Sequence, residues 1–175
     1  NGTTALFPIG GSIDFAIADI LGAIAVGIIA GVGARVFAKV LRTAKAISAL
    51  PHPALIAAAA GATIATLYAV TRALTGESLM VASGYDVIAW ASDPGRSIPI
   101  LLTILALRSL STAAAVAGGG VGGLFIPLVV AGAVTGSIIG NVVDPNDITL
   151  FIVIGVAAFL GAGYLVPLAA VMFVA

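Results

Sequence analysis

Gly118-Gly119-Gly120-Val121-Gly122-Gly123-Leu124-Phe125-Ile126-Pro127 lies between two hydrophobic segments and leads into the second of them. Glycines interrupt the backbone, and Phe125 and Pro127 mark the start of a new helix. If both flanking segments cross a membrane, this break falls at membrane depth. Irregular backbone is tolerated there only where protein buries it or where it lines a cavity. A helix start also presents unpaired N–H groups and a partial positive charge. Aimed inward in an apolar protein, such an end is a candidate anion site.

Composition supports the membrane setting. Of 175 residues, 61% are hydrophobic and only 8% charged, with a mean hydropathy of +1.26. Soluble domains carry about 25% charged residues, so this chain cannot coat a water-facing surface. At roughly 20 apolar residues per crossing there is room for about five or six segments. The fold class expected is all-α, a polytopic integral membrane protein read as one transmembrane domain over residues 1–175. The formal net charge is zero, which gives no footprint for nucleic acid. Cysteine is absent, so disulfides and thiolate metal sites are excluded. No signal peptide is recognisable. The last residues, Val171 to Ala175, read as mid-helix sequence, and the whole is read as part of a longer protein.

Outward from the glycine run, Asn1 to Gly11 reads as a loop, with Asp14 or Asp19 in the first turn of a helix whose apolar part covers about Ile17 to Leu41. Gly27 and Gly31 share one face and predict close helix approach. Arg35, Lys39, Arg42 and Lys45 follow at intervals of three to four. They hold four of the seven basic residues, read as a solvated stripe at a cytoplasmic end. Pro51-His52-Pro53 is a turn, and His52 reads as a loop residue rather than a ligand. Ala54 to Leu74 is a second span. Glu77 to Trp90 reads as a short amphipathic, interfacial or re-entrant piece, and Ser92-Asp93-Pro94-Gly95 as a turn. A third span covers about Ile98 to Ala117. The helix after the glycine run, Leu124 to Val142, carries Gly132, Gly136 and Gly140 on one packing face. Asn146 or Asp147 caps a helix over about Ile148 to Leu160. Gly161 to Gly163 then break it, and a last segment begins near Pro167. Short, glycine-interrupted segments are the pattern of broken helices around a transporter's site.

Two further features bear on chemistry. Gly118, Gly120 and Gly123 fit G-x-G-x-x-G, with Asp144 at about the 20-residue spacing of a dinucleotide fingerprint. That fingerprint needs a preceding strand, and an alanine- and leucine-rich span stands there instead. Arg108 sits midway along the third span. A charge there is either a functional residue or a buried arginine satisfied by helix-end carbonyls or an outside partner. Ser109, Ser111 and Thr112 lie within a turn of it, placed to bond neighbouring helices. No Ser/His/Asp set, intramembrane carboxylate pair or metal-ligand cluster is present. Neither enzymatic activity nor a cofactor is expected.

At these residues the chain resembles the CLC family of chloride channels and proton-coupled chloride antiporters. The family's G-x-F-x-P motif stands here as Gly122-Gly123-Leu124-Phe125-Ile126-Pro127. Arg108 and Thr112 match the basic and hydroxyl pair of the preceding helix. The later run Ala157-Ala158-Phe159-Leu160-Gly161-Ala162-Gly163-Tyr164-Leu165-Val166-Pro167-Leu168 is similar to the family's helix leading to a proline. The resemblance implies an inverted-repeat fold with broken and tilted helices, of which this chain covers most of the second half. It implies a homodimer in the lipid bilayer that transports chloride or a similar halide, coupled to protons in the antiporter members.

It also implies that the backbone N–H groups of Leu124 and Phe125 contact the anion and that Gly123 allows the close approach. Gly122, Ile126, Pro127 and Arg108 then support the motif. The physics agrees independently. A dehydrated halide needs donors, yet a full positive charge would hold it too tightly to release, and Phe125 offers an apolar wall with a positive ring edge. Ile126 replaces the usual small residue and Val121 a common proline or serine. The family's gating glutamate and serine motif belong to the first half, and its pore tyrosine lies beyond Ala175. Channel, antiporter and fluoride exporter therefore stay open. The rival readings are a secondary transporter of another substrate and a non-transporting scaffold whose glycine faces only pack helices.

Overall fold

The computed structural model describes residues 17–80 and 84–174. Seven helices follow in order: α1 (Ile17–Ser48), α2 (Pro53–Thr75), α3 (Tyr85–Ala91), α4 (Ile98–Ala117), α5 (Phe125–Val143), α6 (Ile148–Tyr164) and α7 (Pro167–Val174). No strand occurs among the described residues. The boundaries have local causes. Pro53 opens α2 and Pro99 lies in the first turn of α4, where a missing N–H costs nothing. Gly76, left-handed at φ 75°, ends α2 by returning its N–H to the Arg72 carbonyl at 2.9 Å. The Asp147 carboxylate accepts from the Leu150 N–H at 3.3 Å and caps α6.

α5 is the centre of the fold. Residues 128–137 are all buried, enclosed by α1, α3, α4 and α6. α5 and α6 lie antiparallel at backbone contact. A Cβ on Gly132 would overlap the Gly155 carbonyl, and one on Gly136 the Phe151 carbonyl. At the far end a Cβ on Gly140 would lie 3.1 Å from the Cα of Ile148. The glycine face expected at 132, 136 and 140 is therefore a helix–helix contact, completed by Gly155. Without a hydrophobic drive between helices in lipid, small residues that let backbones approach supply the attraction. On the other side, Ser137 donates from its Oγ to the Ala91 carbonyl at 2.6 Å and ties α3 to α5.

α1, α2, α4 and α5 are each long and apolar enough to cross a membrane, while apolar α6 is shorter, at 17 residues. Ile17, Ile20, Leu21, Ile24 and Ile28 of α1 are exposed, as befits a face turned to lipid. The protein is a multi-pass integral membrane protein.

Three expectations need correction, but not the basic stripe, which stands at the end of α1 as that helix runs on to Ser48, because alanine, lysine and arginine are strong helix formers. Gly27 and Gly31 are not its packing face, since a Cβ at either would meet nothing within 4 Å. The buried line is Gly22, Val26, Ala30, Ala34, Phe37 and Leu41, with Gly22 and Gly33 under the rings of Phe151 and Phe159 of α6. The piece read as one amphipathic stretch over Glu77 to Trp90 is helical only in the seven-residue α3, which buries Val87, Ile88, Trp90 and Ala91 and exposes Tyr85, Asp86 and Ala89. Lastly, Gly161 and Gly163 remain helical. The break comes at Leu165, left-handed at φ 58°, because Pro167 disfavours a helical Val166. Gly161 instead meets Pro167, and Gly163 the side chain of Leu128. The readings of Asn1 to Gly11 and of Asp14 fall outside the described residues, while Asp19 does stand in the first turn of α1.

Candidate functional site

The glycine run divides its backbone donors into two groups. The N–H groups of Gly118, Gly119 and Gly120 return to the carbonyls of Ala114, Val116 and Ala115 at 2.9, 3.1 and 2.8 Å and close the end of α4. Gly119 takes φ 85°, which only glycine adopts without strain. From Val121 to Ile126 the N–H groups find no acceptor among the described residues. Leu124 stands at the N-cap of α5 with φ −86° and no side-chain cap, and its carbonyl receives the Leu128 N–H at 3.2 Å. Pro127 has no N–H to offer. The free amides of Leu124, Phe125 and Ile126 thus form one ring at the positive end of α5.

Two cavities meet at Leu124. One, ≈ 370 Å³, is lined by Met80, Arg108, Ser111, Thr112, the loop from Gly120 to Gly123, and Pro127. The other, ≈ 390 Å³, lies among α1, α4, α5 and α6 and is lined by Phe37, Leu41, Arg42, Lys45, Leu128 and Tyr164, among others. Phe125 is partly exposed and meets Phe173 of α7 edge to face, centroids 4.9 Å apart at 89°. That contact sets the last turn of α7 beside the first turn of α5. Nothing in the local sequence announces it, since the two rings come from separate apolar runs.

Arg108 is half-buried and donates from Nη1 to the Leu79 carbonyl at 2.7 Å. Its other guanidinium nitrogen lies 3.4 Å from the Cβ position of Gly84, which is also crowded by Ile126 and Val130. Arg108 thus has a carbonyl partner in the α2–α3 connection, and it also lines the cavity beside the glycine run. It ties the α2–α3 connection to α4, close to the first turn of α5. The hydroxyls do not reach neighbouring helices as expected. Ser109 and Thr112 bond back to the Leu105 and Arg108 carbonyls of α4 at 2.7 and 3.1 Å. His52 is exposed in a left-handed turn at φ 72°. No group of three potential metal ligands occurs among the described residues. The segment before the glycines is helix α4, not a strand, which removes the dinucleotide reading.

Against known protein families, residues 1–175 match the model described as voltage gated chloride channel. The chain belongs to the voltage gated chloride channel family. Its members are channels and transporters, and anion transport across a membrane is the activity the match supports. Neither a curated protein nor a solved structure gives a match. In this family member, Gly122, Gly123, Leu124, Phe125, Ile126 and Pro127 are brought to one point, the start of α5. Arg108 stands across the adjoining cavity and bonds to a carbonyl.

Proposed function

We propose that this protein passes chloride or a similar halide, held by the backbone N–H groups of Leu124 and Phe125 with Gly123 leaving room for the ion. One observation carries the reading. The amides from Val121 to Ile126 lack an acceptor among the described residues, and they stand where two cavities meet. The first N–H groups of a helix have no intrahelical partner, and these open beside accessible space, where an acceptor from outside the chain can reach them. A halide accepts several such bonds at once. The dipole of α5 adds about half an elementary charge, enough to attract and weak enough to release.

Assembly as a homodimer belongs to the same proposal, and channel conduction and exchange against protons are its two alternative mechanisms. Residues 1–175 would form most of the second inverted repeat. The test is chloride efflux from liposomes holding the full-length protein, with external pH recorded. Chloride release with matched proton movement means antiport, and release without it means a channel. Flux of another substrate with indifference to halides, or no flux from well-folded protein, overturns the reading.

A further inference from the structure

The continuation of α1 past its apolar part places charge where the anion reading needs it. Ala34, Phe37, Leu41 and Ala44 form the buried line of this half of the helix. Arg42 and Lys45 flank that line and face the ≈ 390 Å³ cavity whose lining includes Leu124, whereas Arg35 and Lys39 of the same stripe do not line it. The remaining lining is apolar or aromatic and includes no carboxylate. Arg42 and Lys45 make no ion pair with a described residue. The Arg42 Nε–H bonds only back to the Ala38 carbonyl, at 3.3 Å. The cavity therefore carries two positive charges that no described carboxylate offsets, and Leu124, the N-cap of α5, stands in the same lining. Low-dielectric walls of one charge sign focus the field and raise the local concentration of counter-ions.

We infer that Arg42 and Lys45 are an electrostatic collector for small anions, drawing them from solution into the cavity whose lining includes Leu124. The inference rests on the halide reading of the α5 start. It assigns the cations to the mouth and not to the binding point, so they raise delivery without holding the ion. The competing role is a C-terminal cation pair that only offsets the dipole of α1. In that role flux would not respond to these two side chains.

The experiment is initial chloride flux in proteoliposomes at about 10 mM total salt, compared with about 1 M of an impermeant salt, where the Debye length falls to about 3 Å. Arg42→Gln with Lys45→Gln is expected to lower flux about three- to tenfold at low salt and less than about twofold at high salt. Arg42→Lys with Lys45→Arg keeps parental flux. Arg35→Gln with Lys39→Gln removes the same charge from the same helix and leaves flux within about twofold of the parent. An equal loss from the second pair reduces the effect to general surface charge and overturns the inference. So does a loss that persists at high salt, which is structural, or no loss at all. Leu124→Pro separates the two levels. If it abolishes flux while the Gln pair does nothing, the collector fails and the halide reading stands. If Leu124→Pro is also silent, the halide reading itself falls.

Discussion

Replacing Leu124 with proline deletes a single candidate donor and changes little else. The native φ of −86° lies close to the value a proline ring imposes, about −65 ± 15°. The preceding residue is Gly123, which tolerates the added restriction better than any other. The Leu124 N–H makes no bond to a described residue, so no internal partner is left unsatisfied. What disappears is one N–H to the anion. Hydrogen bonds to charged groups are worth about 1.5–3 kcal/mol, which converts to roughly a 10- to 150-fold loss of apparent anion affinity. Leu124→Ile keeps the amide and should stay near parental behaviour. Leu124→Ala keeps it too while trimming the side chain that lines both cavities. The assay is chloride flux against chloride concentration for all three variants, with thermal stability measured alongside. If Leu124→Pro is as stable as the parent and its apparent affinity stays within about twofold, the Leu124 amide does not hold the ion. If Leu124→Ala is as damaged as Leu124→Pro, the side chain rather than the backbone carries the effect.

Three further outcomes test the frame that holds the site. Gly136→Ala drives a methyl into the Phe151 carbonyl and should cost about 1–3 kcal/mol or more, whereas Gly27→Ala meets nothing within 4 Å and should be neutral or stabilising by about 0.5–1 kcal/mol; equal melting temperatures would contradict the α5–α6 contact. Ser137→Ala leaves the Ala91 carbonyl without its 2.6 Å donor and should lower stability by about 1–3 kcal/mol in thermal unfolding. Arg108→Leu removes the bond to the Leu79 carbonyl and should lower stability by a similar 1–3 kcal/mol or so; if it instead abolished flux at unchanged stability, Arg108 would act on the anion directly.

The parts legible in the sequence are those whose cause is local. Prolines at helix starts, Asp147 as a cap and the glycine run all act within a few residues, and their elements appear where the pattern places them. The four-residue glycine repeat of α5 was readable because one helix carries the whole face. The same repeat at Gly27 and Gly31 misled, because spacing says that a face is small but not that a partner stands opposite. In α1 the partner is Phe151 and Phe159, which crowd Gly22 and Gly33 instead. Sites built across distant segments left no local mark. The Phe125–Phe173 contact, the Leu79 carbonyl under Arg108 and the sharing of one cavity by Arg42, Lys45 and Leu124 all depend on how helices meet. The basic stripe itself was visible, but only the structure separates the two cations that line the cavity from the two that do not.

Binding through backbone amides makes a demand on the fold that binding through a side chain does not. A side chain can rotate to meet its ligand, but an amide at a helix start can be aimed only by aiming the helix. A site of this kind needs its donors held to within about 0.5 Å. The burial of α5 answers that demand. Gly132 and Gly136 lock it to α6 at backbone contact, Ser137 ties it to α3, and Ile126 wedges against Gly84 beside Arg108. These contacts surround α5 from its first turn to its fourth, where a tilt would displace the open amides. Enlarging Gly136, several turns from Leu124, should therefore change anion affinity as well as stability. A Gly136→Ala protein that melted earlier yet kept parental anion affinity would show that the amides are positioned by the first turn alone.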